Sequence, residues 1–340
     1  MNGKTLVILA VIVIMIPSCK GRIHKYGEFT GFTQGTTYKI IWQEHGKLTT
    51  NKLKAGVEKI LHDFDMSLSL YEDSSVISRI NRNENIMPDT FFTEVFKKSE
   101  EISVWTDGAF DITVGPLVKA WGFGPDEHKN FDRSKLDSLL KLVGYRKVRL
   151  VDGRVVKTYP GICLDVNAIA QGYSVDVIGR YFDGLGIKNY LIEIGGEVRV
   201  KGDKNGTEWK IGIDKPLDTD QSPGTDLQAI MKLKDKALAT SGNYRKFYIE
   251  NGIKYSHTID PKTGYPAKNQ LLSASIVATD CATADGIATA CMVMGKERSI
   301  DFILRNKTLD GYLVYSDDNG NFMTWISENL RKSITENINN

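Results

Sequence analysis

The chain has 340 residues, about a quarter of them charged, and its 44 basic and 42 acidic side chains leave a net charge of +2. This length suffices for one large domain or two smaller ones with a full hydrophobic core. Because the charge is nearly balanced and shows no block of one sign, nothing in the composition points to nucleic acid, and no nucleic-acid partner is expected.

The first 18 residues are typical of a secretion signal. Lys4 is the only early charge, an unbroken apolar run covers Leu6–Ile16, and Pro17, Ser18 and Cys19 follow it. A short basic start, an apolar middle and a small residue before the cut indicate a signal peptide, and the run is too short for a permanent membrane span. Cys19 after Ile-Pro-Ser resembles the lipobox of bacterial lipoproteins, which implies cleavage before Cys19 and its lipidation. The alternative is an ordinary secreted protein.

The rest of the chain carries strand and helix signals in irregular order. Alternation of side chains predicts a strand within Phe29–Trp42, and periodic apolar residues predict helices over Thr49–Phe64 and Phe91–Val104. Residues Ala239–Asn243 are small or polar and predict a turn. Further strands are predicted at 147–151, 154–157, 162–166, 190–194, 198–201, 209–213, 229–233, 247–249, 272–278, 311–315 and 322–326, and further helices at 134–142, about 165–185, 279–295 and 299–304. Many strands, several helices and short connections predict an α+β fold.

The segment Thr279–Gly295 reads as a loop that runs into a helix. Asp285 and Thr289 are four residues apart, so their side chains share one helix face. A carboxylate and a hydroxyl are hard oxygen ligands, which suit Mg²⁺. The alternative is structural: Asp285 would complement the helix dipole, and Thr289 would bond back to a carbonyl one turn earlier.

A histidine and three cysteines complete the reactive side chains. His257 stands three residues before Asp260 in a Pro/Gly turn, where acid–base chemistry and simple turn capping are equally compatible with the sequence. Cys163, Cys281 and Cys291 are an odd number with apolar or small neighbours and no zinc-ligand spacing, so we expect buried free thiols.

Seven separated motifs carry a resemblance to a known family. They are GTTYKI near Gly35, SLYEDSSVISRIN around Tyr71, DGAFDITVGPLVKAWGFG, DVNAIAQGYSVD, EIGGE, SHTIDPKTGYP and TADGIATACMVMG. Their order and number resemble the ApbE family of FAD:protein FMN transferases, also described as flavin-trafficking lipoproteins, from Thr33 to about Trp325. The resemblance implies an ApbE-like fold, with mixed and antiparallel sheets and flanking helices.

The resemblance also implies a domain division and a location. Residues 1–18 would be the signal peptide, 19–28 the lipidated cysteine and its tether, 29–328 the FMN transferase catalytic domain and 329–340 a polar, frayed tail. The protein would be lipid-anchored to a bacterial membrane, with its catalytic domain on the periplasmic side.

The implied reaction is transfer of a flavin nucleotide to a protein. Such an enzyme binds FAD with Mg²⁺, breaks the pyrophosphate, releases AMP and attaches FMN by a phosphoester to a Thr or Ser of an acceptor. The family's acceptors include subunits of exported, membrane-bound redox complexes. Breaking a pyrophosphate requires charge neutralisation and an aligned nucleophile more than covalent help from the protein.

Site residues follow by matching each motif to the family. Asp285 and Thr289 would bind Mg²⁺ through side-chain oxygens and Ala168 through its backbone carbonyl. His257, with Asp285 the predicted catalytic pair, would deprotonate or position the acceptor hydroxyl. The flavin and its nucleotide tail would contact Gln34, Tyr71, Ala109, Phe110, Asp111, Asp165, Gln171 and Ile259. Gln34 replaces a Met of several relatives and Gln171 replaces a common Lys or Glu, which alters the charge beside the phosphates.

Two other functions share the same residues in part. A Mg²⁺-dependent FAD pyrophosphatase would use water in place of the protein hydroxyl and give FMN and AMP. A lipid-anchored flavin carrier would bind FAD without cleaving it, and would need neither the Asp285–Thr289 pair nor a nearby histidine.

Overall fold

The computed structural model describes residues 24–123, 132–216, 226–243, 247–250 and 253–336. The predicted signal peptide and the lipidation site at Cys19 lie outside the described residues. Within the described ranges, no helix combines the length and the apolar character that a membrane crossing requires.

An eight-stranded sheet forms the centre of the molecule. The described residues contain fifteen strands in all, of which eight form this sheet. In chain order they are β1 Tyr26–Thr33, β2 Thr36–Gln43, β3 Val148–Val151, β4 Arg154–Lys157, β5 Tyr190–Ile194, β6 Glu197–Lys201, β7 Trp209–Asp214, β8 Leu227–Leu233, β9 Lys236–Gly242, β10 Phe247–Glu250, β11 Ile253–Ser256, β12 Leu271–Ala278, β13 Asp310–Ser316, β14 Phe322–Ile326 and β15 Ile334–Glu336. The central sheet has the order β1-β2-β5-β6-β9-β12-β13-β14. All its neighbouring strands pair antiparallel.

Helices cover one face of this sheet. The α-helices of the described residues are α1 Thr50–Leu68, α2 Val76–Asn81, α3 Thr90–Trp105, α4 Gly115–Ala120, α5 Leu136–Leu140, α6 Asn167–Gly184, α7 Cys281–Met294 and α8 Lys296–Arg305. Helices α6 and α7 lie against the central strands, and α3 packs on both of them. Both α6 and α7 are therefore buried on several sides. The sequence of α7 fits this position, because most of its residues are apolar or small.

The opposite face is covered by a second sheet, in the order β15-β8-β7. Strand β12 shows how the two layers arise from alternation, because Ile276 packs with the helices while the next residue, Val277, packs with the second sheet. Trp209 and Met231 are the large buried side chains that the second sheet contributes. The α+β prediction is confirmed, although every pairing among the described strands is antiparallel and none is mixed.

Several sequence predictions of local structure were wrong. The strand predicted within Phe29–Trp42 is present as β2, but the prediction missed β1, which pairs with β2 in a β-hairpin whose two-residue turn is Gln34-Gly35 with φ of 50° and 73°. Residues 239–242, predicted as a turn, belong to the central strand β9. Residues 162–166 join no sheet. The C-terminal segment, expected to be frayed, forms β15 and pairs with β8.

The start of α7 and the state of the cysteines agree better with the sequence predictions. Helix α7 begins within the predicted segment Thr279–Gly295, and its N-cap is Asp280, whose Oδ1 accepts the N–H of Thr283 at 2.8 Å. Cys281 and Cys291 are buried free thiols as predicted, and Cys163 is a half-buried one.

Candidate active site

A cavity of about 440 Å³ opens where the N-terminus of α6, the middle of α7 and the β1–β2 turn converge. All twelve predicted flavin, metal and catalytic positions line this cavity: Gln34, Tyr71, Ala109, Phe110, Asp111, Asp165, Ala168, Gln171, His257, Ile259, Asp285 and Thr289. Positions that are up to 255 residues apart in the sequence therefore lie around one space.

Close contact between α6 and α7 builds the floor of the cavity. A Cβ added at Gly172 would lie 2.4 Å from the carbonyl oxygen of Cys281 and 2.7 Å from Cβ of Asp285, so only glycine allows the helices to approach this far. The backbone N–H of Gly172 donates to Oδ2 of Asp285 at 3.0 Å. In an α-helix this N–H is the usual partner of the Ala168 carbonyl. Because the Gly172 N–H donates to Asp285, the carbonyl oxygen of Ala168 can accept or coordinate a further partner.

Asp285 is a buried carboxyl that no basic side chain neutralises among the described residues. Its pKa is raised to about 7, chiefly by burial; the N–H of Gly172 opposes this shift and the nearby Asp176 adds to it. A buried carboxyl without a cationic partner costs free energy when it ionises. A bound cation would remove that cost.

The donors around Asp285 are oxygens. Thr289, one turn further along α7, has its hydroxyl 3.1 Å from that of Ser241 on β9, and Ala168 lines the same cavity from α6. Within the described residues no cluster of three His, Cys, Asp or Glu side chains could hold a metal ion. A carboxylate, a hydroxyl and a carbonyl nevertheless fit Mg²⁺, which takes few protein ligands and completes its shell with water and phosphate oxygens.

The β1–β2 turn and the loop after α1 form the rim. Gln34 adopts a left-handed conformation at the turn, which brings its side chain to the cavity, where its amide nitrogen is buried without a hydrogen-bond partner. Tyr71 lines the cavity while 69% of its surface remains exposed, so its ring is available to a planar ligand. The hydroxyls around Tyr71 have capping roles: Ser75 caps α2, and its hydroxyl donates to the carbonyl of Ser69.

The loop after α3 brings Ala109 and Phe110 to the wall. Asp107 and Gly108 both have positive φ and turn the chain sharply at the helix end. Asp111 lines the cavity, but its carboxylate is already engaged: Oδ1 accepts the N–H and hydroxyl of Thr113, and Oδ2 accepts the N–H of Tyr145 at 2.7 Å. Asp111 therefore holds the loop in shape, whatever contact it makes with a ligand.

Asp165 and Gln171 bracket the first turn of α6. Oδ1 of Asp165 accepts the N–H of Asn167 at 2.9 Å and so orders the entry to the helix. The side chain of Gln171 lies beside Gly195 and Thr36, since a Cβ added at Gly195 would be 3.1 Å from Nε2 of Gln171 and 3.0 Å from Cγ2 of Thr36. A neutral amide thus lies beside the backbone at Gly195.

His257 stands at the mouth of the cavity. Its ring contacts Phe123 edge to face, with 6.4 Å between ring centroids. Asp260, the acidic neighbour noted in the sequence, does not line the cavity and instead accepts the N–H of Lys262 within its own turn at 2.8 Å. The carboxylate of Asp260 therefore stabilises its own turn, and of the two residues only His257 lines the cavity.

Sequence reasoning missed several lining residues. They are Gly35, Thr36, Val114, Val118, Phe123, Asn167, Gly195, Glu197, Thr240, Ser241, Gly242, Thr258, Pro261 and Val293. Glu197 was quoted in the EIGGE motif without a role, and it is a buried carboxyl on β6. Ser241 could have been found only by assigning β9 correctly, because its place beside Thr289 depends on that strand.

Comparison with known proteins matches this geometry to one family. The ApbE family model matches residues 34–313. The FAD:protein FMN transferase of Vibrio cholerae is 36% identical over 302 residues, covering 84% of this chain and 89% of that protein. The FAD:protein FMN transferase of Haemophilus influenzae is 33% identical over 340 residues, covering 96% of each chain.

Solved structures give the same result. The flavin transferase ApbE from Vibrio cholerae superimposes with a TM-score of 0.81 at 33% identity, over 91% of this chain and 99% of that one. The apo flavinyl transferase ApbE of Pseudomonas stutzeri gives a TM-score of 0.80 at 30% identity, over 91% and 97% of the two chains. Fold and sequence thus agree along nearly the whole length of both proteins.

Proposed function

The chain belongs to the ApbE family, and from this premise we propose that it is a Mg²⁺-dependent FAD:protein FMN transferase. The reaction would move the FMN part of FAD to a Thr or Ser hydroxyl of an acceptor protein and release AMP. The observation that carries the proposal is convergence: twelve positions taken from separate motifs all line one cavity of about 440 Å³.

The α6–α7 floor is the part of the cavity suited to the pyrophosphate. Asp285, Thr289 and the Ala168 carbonyl would hold Mg²⁺ there, and the ion, when bound, neutralises charge on the phosphoryl oxygens. The α6 N-terminus adds a favourable dipole for anionic oxygens. Ionised Asp285 would then gain the cationic partner that the described part of the chain does not supply.

Transfer requires an aligned hydroxyl and a place for its proton. The acceptor oxygen would attack the phosphorus of the FMN half, the new O–P bond forming as the bond to the AMP phosphate breaks, and AMP leaves with that bridging oxygen. His257 at the cavity mouth is the side chain positioned to take the hydroxyl proton or to orient the hydroxyl. Tyr71 and Gln34, on the rim, are positioned to contact the FAD rings.

The proposal includes a location and a class of acceptor. Export, cleavage before Cys19 and lipidation there would place the catalytic domain on the periplasmic side of a bacterial membrane. Acceptors would then be exported subunits of membrane redox complexes that carry a suitable Thr or Ser. The support for this part is the sequence pattern of residues 1–19.

One experiment separates the three functions. The full chain, purified in detergent, is incubated with FAD and Mg²⁺ with and without a candidate acceptor, and AMP, free FMN and covalent flavin fluorescence on the acceptor are measured. AMP together with labelled acceptor supports the transferase. AMP with free FMN and no labelled acceptor supports a pyrophosphatase, and tight FAD binding without AMP supports a carrier and overturns the proposal.

A further inference from the structure

Asp176 ends the motif DVNAIAQGYSVD, and the proposed reaction does not use it. It is only 3% exposed, on α6. Its Oδ1 accepts the N–H of Cys281 at 3.0 Å and its Oδ2 accepts the N–H of Ala282 at 2.9 Å. These two amides belong to the first turn of α7, where backbone donors have no partner inside their own helix. Asp176 therefore caps a helix other than its own, in addition to the local cap Asp280.

The contact between Asp176 and α7 belongs to a series of contacts at four-residue spacing along the two helices. On α6, residues Ala168, Gly172 and Asp176 recur every four positions, and on α7 residues Cys281, Asp285 and Thr289 do the same. The helices run in opposite directions, because Asp176 meets Cys281 and Gly172 meets Asp285. Continuing that register places Ala168 opposite Thr289, and both line the cavity.

Arg199 holds the Asp176 carboxyl in place from the sheet. Its guanidinium on β6 lies 2.8 Å from Oδ1 of Asp176. The Arg199 side chain passes close to α6 at Gly179, where an added Cβ would lie 2.9 Å from its Cδ. The central sheet, α6 and the start of α7 are thus connected through a single buried carboxylate.

We propose that Asp176 is a positioning residue for the divalent-cation site, because it fixes the register of α7 against α6. A slip of α7 by one residue would shift each side chain by about 1.5 Å along the axis and rotate it by about 100°. Asp285 and Thr289 would then no longer face the Ala168 carbonyl. The inference rests on the proposed function, since it assumes that these three donors bind the cation.

The test measures cation affinity apart from catalysis. Mn²⁺ replaces Mg²⁺, ADP supplies a pyrophosphate without flavin, and bound Mn²⁺ is followed by electron paramagnetic resonance on the full chain in detergent. Asp176→Asn is compared with Asp183→Asn. Asp183 also interacts with Arg199, at 3.8 Å, and accepts from Lys201 and Tyr190, but among the described residues none of its hydrogen bonds or ion pairs reaches α7. We expect Asp176→Asn to weaken Mn²⁺ binding about tenfold, as for other residues that orient metal ligands, and Asp183→Asn to leave it unchanged.

The outcomes distinguish the inference from its premise. Equal Mn²⁺ affinities in the two variants, measured at temperatures where both are folded, would overturn the positioning role while leaving the cation site intact. Absence of Mn²⁺ binding by the wild-type protein would overturn the cation site and the positioning role together. If Asp176→Asn does not fold, Asp176→Glu and Asp183→Glu replace the pair, because both keep the charge and only the first displaces the two acceptors of the α7 amides.

Discussion

The hydroxyl of Ser241 on β9 lies 3.1 Å from the hydroxyl of Thr289 on α7, so the central sheet contacts a proposed cation ligand directly. A threonine hydroxyl that gives a lone pair to a cation must point its proton elsewhere, and Ser241 is the acceptor in reach. We expect Ser241→Ala to weaken Mn²⁺ binding about two- to tenfold, the value of one modest hydrogen bond. Titration of Mn²⁺ in the presence of ADP measures the change.

The control for this variant is Ser275→Ala. Ser275 is fully buried on β12 and shares a 2.7 Å hydrogen bond with Thr240, but it does not line the cavity. The two substitutions remove one serine hydroxyl each from adjacent strands, half-buried at Ser241 and fully buried at Ser275, so the control should destabilise the fold at least as much. If Ser275→Ala weakened Mn²⁺ binding as much as Ser241→Ala, the effect would come from the fold and the orienting role would be wrong.

Asp285 should make cation binding depend on pH. Its pKa is raised to about 7 in the metal-free protein, chiefly by burial, so protonation of the carboxyl competes with cation binding near and below neutrality. Binding a cation requires the ionised form, so affinity should rise about tenfold per pH unit below pH 7 and level off above it. Mn²⁺ titrations from pH 5.5 to 8.5 test this, and a flat profile would contradict the assignment of Asp285 as a ligand.

The same group should lower metal-free stability as pH rises. The native pKa of Asp285 lies above the value of about 3.9 for an unfolded aspartate, so between these values the native state binds more protons than the unfolded state. This contribution to the free energy of unfolding is fully present below about pH 4 and is lost as pH rises through 7. Asp285→Asn, which cannot ionise, should remove that component of the pH dependence in urea unfolding.

His257 should matter for transfer and little for FAD binding. His257→Ala is expected to lower the rate of acceptor labelling by about 10²- to 10⁴-fold, the range for loss of a general base. FAD affinity should change much less, because the remaining lining residues are kept. Lys262→Ala is the control: Lys262 lies in the next turn and pairs with Asp107 outside the cavity lining. If His257→Ala labelled the acceptor at the wild-type rate, the proposed role of His257 in transfer would be wrong.

Much of the fold could be read from local patterns. The predicted bounds of 190–194 and 322–326 coincide with β5 and β14, because each is a clear run between turn signals. Strand β1 and the hairpin turn at Gln34-Gly35 were missed because β1 lacks a regular alternation of buried and exposed side chains and Gln is an unusual residue at positive φ. Strand β9 was missed because its Ala-Thr-Ser-Gly sequence has low strand propensity, and pairing with β6 and β12 overrides that propensity.

The site was predictable only where local spacing or family motifs carried information. The i, i+4 spacing of Asp285 and Thr289 placed both on one face, as found. Asp176 could not be assigned, because its partners at Cys281 and Ala282 are more than a hundred residues away and a buried helix-capping carboxylate has no local signal. The need for glycine at position 172 likewise could not be predicted locally, because it depends on the atoms of α7 that pack against it.

Membrane attachment should depend on Cys19. If the protein is processed and acylated there, Cys19→Ser should abolish incorporation of labelled fatty acid and release the protein from the membrane fraction. The basis is that acyl chains supply the anchor. Cys163→Ser is the matched control, since it removes a half-buried thiol elsewhere in the chain. Membrane retention of Cys19→Ser with unchanged fatty-acid labelling would contradict the lipoprotein assignment.

The close approach of α6 and α7 gives the sharpest stability prediction. A methyl group at position 172 would lie 2.4 Å from the backbone carbonyl oxygen of Cys281, and backbone cannot move aside cheaply. We therefore expect Gly172→Ala to destabilise the protein by about 1–3 kcal/mol and to weaken Mn²⁺ binding, because the helices must separate at Asp285.

Gly184→Ala is the counterpart on the same helix. Gly184 is the last residue of α6, and no atom lies within 4 Å of the position its Cβ would take. The change should stabilise the protein by about 0.4–1 kcal/mol, because alanine restricts the unfolded chain without steric cost in the folded one. Urea unfolding of both variants measures the difference. If Gly172→Ala were as stable as Gly184→Ala and bound Mn²⁺ normally, helix contact at Gly172 would not be what sets the geometry of the site.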